Sequence, residues 1–153
     1  MTTAPAERVF VDTNVLLAAT DEARPDHAAA DAVLRRWPAD GVSLYVSGQV
    51  LREYVVVATR PIAVNGLGLD PSDVVANVRA LRSALRMLEE TTAVADSLLR
   101  LVEERGCRGK QVHDANLVAV MQAHGLDVLV TRNVADFRRF LPHVTAVDPL
   151  DRS

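Results

Sequence analysis

Arg8-Val9-Phe10-Val11-Asp12-Thr13-Asn14-Val15-Leu16-Leu17-Ala18 reads as a short, continuously apolar strand that runs straight into a helix, with Asp12 at the join. A strand that is apolar at every residue is buried on both faces, as the strands of a parallel sheet are. The same alternation continues along the chain. Residues from Asp26 to about Arg36 suit a second helix stopped before Pro38, and Val42-Ser43-Leu44-Tyr45-Val46 alternates as a strand. Ser47 is positioned as the N-cap of a helix to about Arg60, where Pro61 ends it. Residues 61–70, with Pro61, Asn65, Gly66 and Gly68, form the clearest loop. Asp70-Pro71 opens a long helix to about Glu89, a further helix runs from Val94 to Arg105 and closes at Gly106, and residues 109–112 connect to a helix from His113 to His124 with Gly125 just past its end. Residues 127–131 are a strand, 133–140 a polar turn or short helix, and 144–147 a last strand. The pattern predicts one α/β domain over residues 1–153, a mostly parallel sheet flanked by helices, with about 1–7 and 149–153 as flexible ends.

Composition narrows the function. At 153 residues, 49% of them hydrophobic and 24% charged, the chain is ordinary globular material for one domain. Its apolar runs are far shorter than the ~20 residues a membrane helix needs. The first eight residues lack a basic and then apolar secretory signal, so a cytoplasmic protein is expected. Cys107 is the sole cysteine, which excludes an internal disulfide and a cysteine-rich zinc site. The four histidines, His27, His113, His124 and His143, lack metal-ligand spacing. The net charge of -3 offers no general attraction to nucleic acid or anionic lipid, so any such contact needs a local basic patch. Lys110 is the only lysine. Arg79, Arg82 and Arg86, at i, i+3 and i+7, read as a solvated helix face rather than a nucleic-acid path.

Three acids occupy positions where the pattern calls for apolar residues. Asp114 is followed by Leu117, Val118 and Met121 at i+3, i+4 and i+7, so it shares the face its helix buries. Glu53 borders an apolar face with Val50 and Val57. Asp12 ends a buried strand, where open α/β sheets build ligand sites. Each has an ordinary alternative: a first-turn aspartate, a helix-edge glutamate paired with Arg52 or Arg60, and an N-cap. Asn133 and Asp136 follow the strand ending at Thr131 and reach the same carboxyl edge if the sheet is parallel; alone, they suit a polar turn. Convergence shifts the weight toward a site. Clustered carboxylates raise one another's pKa unless a divalent cation neutralises them, and oxygen-only ligands favour magnesium or manganese over zinc or copper.

Val9-Phe10-Val11-Asp12-Thr13-Asn14-Val15-Leu16, Leu51-Arg52-Glu53-Tyr54, His113-Asp114-Ala115-Asn116-Leu117 with His124-Gly125-Leu126, and Val130-Thr131-Arg132-Asn133-Val134-Ala135-Asp136-Phe137 resemble, in sequence and order, the PIN-domain nucleases. The compact length and the Thr131-Arg132-Asn133 to Asp136-Phe137 segment are similar to the VapC-type toxins of bacterial toxin–antitoxin pairs. The resemblance implies a single PIN-like domain, metal held by Asp12 and Asp114, Glu53 as a third acid, and a fourth position filled by Asn133 or Asp136. It departs from the family pattern at Asn133, where an acid is usual. It further implies that Asn14 and Thr131 orient the carboxylates. RNA as substrate, a cognate antitoxin and a homodimer follow from the resemblance alone.

The expected activity is therefore a Mg2+-dependent ribonuclease in which Asp12 and Asp114 hold the ion while Glu53 and Asn133 or Asp136 complete the site. Phosphate contacts are expected from Arg132, next to the site, and then Arg52, Arg60 and Lys110. A two-component receiver domain is set aside because Thr13 and Asn14 follow Asp12, and a haloacid-dehalogenase-like phosphatase because Asn14 stands where its second aspartate belongs. The alternative that stays open is a catalytically silent PIN-like module that binds RNA or protein.

Overall fold

The strand at Arg8–Val11 (β1) is apolar and wholly buried from Val9 to Val11, and it occupies the centre of the sheet. In the computed structural model, which describes residues 7–151, it is followed by helices Thr13–Thr20 (α1) and His27–Ala39 (α2), then strand Ser43–Ser47 (β2). Next come helices Gly48–Thr59 (α3) and Pro71–Ala84 (α4), strand Arg86–Leu88 (β3), and helices Thr92–Arg105 (α5) and Gln111–Ala123 (α6). Strands Val128–Val130 (β4) and Thr145–Val147 (β5) close the order, with short 3-10 segments at Ile62–Val64, Val134–Phe140 and Pro149–Asp151.

The sheet runs β3-β2-β1-β4-β5, and every pairing is parallel. The chain steps outward from β1 through β2 to β3, then returns to lay β4 on the other side of β1. This reversal opens a crevice at the carboxyl ends of β1 and β4, the place where doubly wound sheets hold ligands. Val9 pairs with Val128 and Val11 with Val130, so Asp12 and Thr131 leave their strands side by side. The mostly parallel α/β expectation is met. Among the described residues, no helix is long and apolar enough to cross a membrane.

Several boundaries differ from the sequence reading. Helix α2 runs through Pro38 to Ala39 instead of stopping before it. Proline there removes only one amide bond, close to the helix end, and the Asp40 and Gly41 amides still close the turn on Arg36, Trp37 and Pro38 carbonyls. The helix expected to reach Glu89 stops at Ala84, and Arg86–Leu88 is an edge strand paired with β2. Leu, Arg and Met are good helix formers, and three residues are too few to show a period; pairing with β2 overrides propensity. Arg79 and Arg82 therefore lie on α4 and Arg86 in β3, and the three do not form one helix face. Helix α6 begins two residues early, at Gln111. Ser47 does precede α3, but its hydroxyl makes no capping bond and is buried without a hydrogen-bond partner. Of the ends read as flexible, the Glu7 carbonyl accepts from the Ser43 amide, and Pro149 is buried in its 3-10 turn; residues 1–6 and 152–153 lie outside the described residues.

The loop after α3 does structural work. A helix leaves its last carbonyls without intrahelical partners. Here the amides of Leu67, Leu69 and Gly68 donate to the carbonyls of Val57, Ala58 and Arg60 at 3.1, 3.0 and 2.8 Å. Gly66 makes the fold-back possible: a Cβ at this position would lie 1.9 Å from the Arg60 carbonyl oxygen. Gly48 has nothing within 4 Å of the equivalent point. Gly66→Ala should thus force the backbone apart and destabilise by about 1–3 kcal/mol or more, whereas Gly48→Ala, in the first turn of a helix, should be neutral or stabilising by up to about 1 kcal/mol. Urea denaturation midpoints of the two variants check the contrast; equal midpoints would contradict this packing of the loop.

Candidate active site

Asp12 is 8% exposed although it carries a carboxylate. Three groups make that burial tolerable. The Thr13 amide donates to Oδ1 at 2.7 Å, the Thr131 hydroxyl donates to Oδ2 at 2.7 Å, and the Asn14 amide lies 3.4 Å from Oδ2. Thr131 is itself fully buried, and its Oγ1 also accepts from Asn14 Nδ2 at 3.2 Å and from the Asn133 amide at 3.0 Å. Asn14 Oδ1 in turn accepts from the Arg132 amide. One closed network thus ties the end of β1 to the end of β4. The Asp12 backbone amide adds a bond to the Val130 carbonyl.

Glu53 approaches from α3, and both of its oxygens are engaged. Thr13 Oγ1 donates to Oε2 at 2.9 Å, and Gln49 Nε2 donates to Oε1 at 3.0 Å. Gln49, one helical turn before Glu53, is buried; it also donates to the His113 carbonyl at 3.1 Å and accepts from Asn116 Nδ2 at 2.6 Å. Glu53 therefore does not pair with Arg52 or Arg60 as a helix-edge residue would. Those arginines instead line the same open cleft, of about 520 Å3, together with Asp12, Thr13, Asn14, Gln49, Glu53, His113, Asp114 and Asn133. Leu17, Val56 and Val57 give the cleft an apolar stretch.

Asp114 sits in the first turn of α6, partly buried, so the first-turn reading and the buried-face reading both describe it. Burial, followed by the charges of Asp12, Asp136 and Glu53, pushes its carboxyl up to about 6, with Arg139 opposing. The carboxyl of Asp12 is likewise raised, chiefly by burial, against the pull of its Thr131 and Thr13 hydrogen bonds; Glu53 and Asp136 add to the rise. Four acids thus lie within each other's field. Asn133 lines the cleft, while Asp136, exposed in the 3-10 segment behind it, acts through its charge.

The basic residues divide. Arg52 and Arg60 reach the cleft. Arg132 does not serve as a free phosphate ligand: its Nε donates to Asp26 at 3.0 Å and its Nη1 to both oxygens of Asp148. It braces the loop after β4 against the start of α2 and the end of β5. Lys110 is exposed just before α6 and is not among the residues that line the cleft. Sequence reasoning missed Thr13, Gln49, Asn116, His113 and Arg139. A Gln–x–x–x–Glu spacing, which sets Gln49 and Glu53 on one helix face, was the available signal for the second.

The donors suit a hard divalent cation. Asp12, Glu53, Asp114 and Asn133, all oxygen donors, line one cleft that has no cysteine in its wall. Among the described residues, no three acidic, histidine or cysteine side chains are drawn together tightly enough to enclose an ion.

The sequence matches the family model described as PIN domain over residues 9–140. It is 31% identical over 131 residues to Ribonuclease VapC48 of Mycobacterium tuberculosis, an alignment covering 84% of this chain and 89% of that protein. The fold is similar to VapBC2 of Rickettsia felis, solved with a fragment of promoter DNA, with TM-score 0.67 and 16% identity over 92% of this chain and 98% of that one. It is also similar to the Mycobacterium tuberculosis sarcin–ricin-loop-cleaving toxin VapC20, with TM-score 0.64 and 19% identity over 91% and 98%. At these identities the two structures speak for the fold alone.

The raised Asp114 carboxyl has a consequence for stability. Below about 3.8, its ordinary value, it is protonated whether the chain is folded or not. Between there and about 6 the folded protein holds a proton that the unfolded chain has released, so stability falls as pH rises; above about 6 the whole cost is present. In chelator, Asp114→Asn should therefore be more stable than the parent at pH 7.5, and the difference should vanish on approaching pH 4. Urea denaturation across that range checks the sign; a variant less stable at pH 7.5 would contradict the repulsive cluster.

Proposed function

Since the chain belongs to the PIN-domain family, we propose that it is a VapC-type ribonuclease, the toxin of a toxin–antitoxin pair, hydrolysing RNA phosphodiesters in the cleft at the carboxyl edge of its sheet. The observation that carries the reading is the convergence of Asp12, Glu53 and Asp114 on one cleft that Arg52 and Arg60 also line. Asp12 caps α1 through the Thr13 amide, as a structural acid would, but the half-buried Glu53 is held by neutral donors and paired with no cation.

In this reading Asp12 and Asp114 would hold Mg2+, or Mn2+ in its place, with Glu53 and Asn133 as the further oxygen donors. The bound cation supplies Lewis acidity and positive charge opposite the phosphodiester oxygens. The chain supplies the rest. Arg52 and Arg60 bind phosphates either side of the scissile bond, and the apolar stretch at Leu17, Val56 and Val57 receives a base or ribose face. Glu53, fixed by Thr13 and Gln49, accepts a proton from the attacking water. Asp136 contributes charge at the fourth corner, and Asn14 and Thr131 hold Asp12 in orientation. A cognate antitoxin that covers the acidic cleft, a homodimeric assembly and a cytoplasmic location belong to the same reading.

Asp12→Asn and Asp114→Asn should each lower metal-dependent cleavage of single-stranded or hairpin RNA by at least about a hundredfold while the fold persists, and chelator should do the same to the parent. Gel assays with circular dichroism as the control for folding check this. Undiminished cleavage by both variants would remove Asp12 and Asp114 from the mechanism, whereas a parent that binds metal but cuts neither RNA would leave the silent binding module.

A further inference from the structure

Gln49 is not explained by packing or by helix propensity. It is a 3% exposed amide in the first turn of α3, and three of its four hydrogen-bonding positions are used. Nε2 donates to Glu53 Oε1 at 3.0 Å within α3 and to the His113 carbonyl at 3.1 Å on α6; Oε1 accepts from Asn116 Nδ2 at 2.6 Å, also on α6. The orientation of the amide is dictated by these partners. Reversed, its oxygen would face a carboxylate and a carbonyl, and its amino group would face another amino group.

The bonds join two acids. Glu53 is four residues along from Gln49 on the same helix face, and the His113 carbonyl belongs to the residue before Asp114. Gln49 therefore fixes both the rotamer of Glu53 and the height of the first turn of α6, which is the separation of Glu53 from Asp114. Asn116 touches neither acid; it holds Gln49 in the orientation that can donate to both. The backbone of α3 and α6 sets this separation only coarsely, and like charges across it push apart unless a rigid donor intervenes.

We propose that Gln49 is a positioning residue of the cation site, which sets the Glu53–Asp114 geometry and is itself oriented by Asn116. The assignment rests on the ribonuclease reading above. Loss of a group that orients a ligand typically costs 10- to 100-fold in metal affinity, and the contacts to RNA made by Arg52 and Arg60 are left in place. Gln49→Leu should thus weaken Mn2+ binding about 10- to 100-fold by calorimetry on the chelator-stripped protein, and should lower kcat at fixed Mn2+ with KM for RNA nearly unchanged. Asn116→Leu should weaken Mn2+ binding in the same direction by a smaller factor. The double variant should be no worse than Gln49→Leu, because Asn116 acts only through Gln49.

A role confined to packing would lower the unfolding midpoint and leave Mn2+ affinity where it was; that result overturns the assignment. Additive losses in the double variant overturn the relay from Asn116. Should Gln49→Leu fail to fold, Asn116→Leu decides alone, with unaltered Mn2+ affinity counting against the proposal. A parent protein that neither binds Mn2+ nor cuts either RNA overturns the ribonuclease reading itself, an outcome distinct from a parent that does both while the variants match it.

Discussion

Carboxylates buried at the edge of a low-dielectric sheet are costly, and their mutual repulsion adds to the cost; most of the local structure around Asp12 answers that burial. A buried, unpaired carboxylate costs several kcal/mol. The cost at Asp12 is offset by a buried threonine hydroxyl and a backbone amide, each 2.7 Å away; the amide is that of Thr13 at the start of α1, and the hydroxyl is in reach only because of the sheet order. Thr131 lies beside Asp12 because β4 returns to pair with β1 in register. Helices α1 and α3, which leave the adjacent parallel strands β1 and β2, pack side by side, so that Thr13 and Glu53 meet.

Neutral donors hold the acids without neutralising them. Amides and hydroxyls fix where a carboxylate points but leave its charge in place, so the cleft keeps a demand for a cation that an arginine in the same position would have met. Arg132 could have played that part from the adjacent residue. It is committed instead to Asp26 and Asp148, which braces the loop carrying Asn133 and keeps its positive charge turned away from Asp12. Among the described residues that line the cleft, the guanidinium groups are those of Arg52 and Arg60, on the α3 side, which in the proposed reading leaves the acids open to the ion.

Much of this was legible in the sequence. An all-apolar strand stopping on an acid announced Asp12, and acids on apolar helix faces announced Glu53 and Asp114, because charge where burial is expected is a departure that a periodic pattern makes visible. The strand Arg86–Leu88 was not legible, since its three residues are helix formers and only pairing with β2 makes them extended. Gln49 and Asn116 escaped for another reason: a polar residue near a helix start is unremarkable until the partner helix is seen across from it. The pairing of Arg132 with Asp26 and Asp148 was not legible either, because adjacency in sequence to the site says nothing about which acids a long side chain reaches. The fourth corner is divided between Asn133, which lines the cleft, and Asp136, which acts through its charge, and neither role follows from spacing alone.

In the proposed reading these buried, mutually repelling acids receive a divalent cation. A crystal of the protein equilibrated with Mn2+ and measured at the manganese absorption edge tests it most directly. With Asp12 and Asp114 as ligands, an anomalous peak should lie within ligand distance, about 2.0–2.3 Å, of carboxylate oxygens of both residues. A map with no peak in that cleft at saturating Mn2+, or with the ion bound only elsewhere, would contradict it.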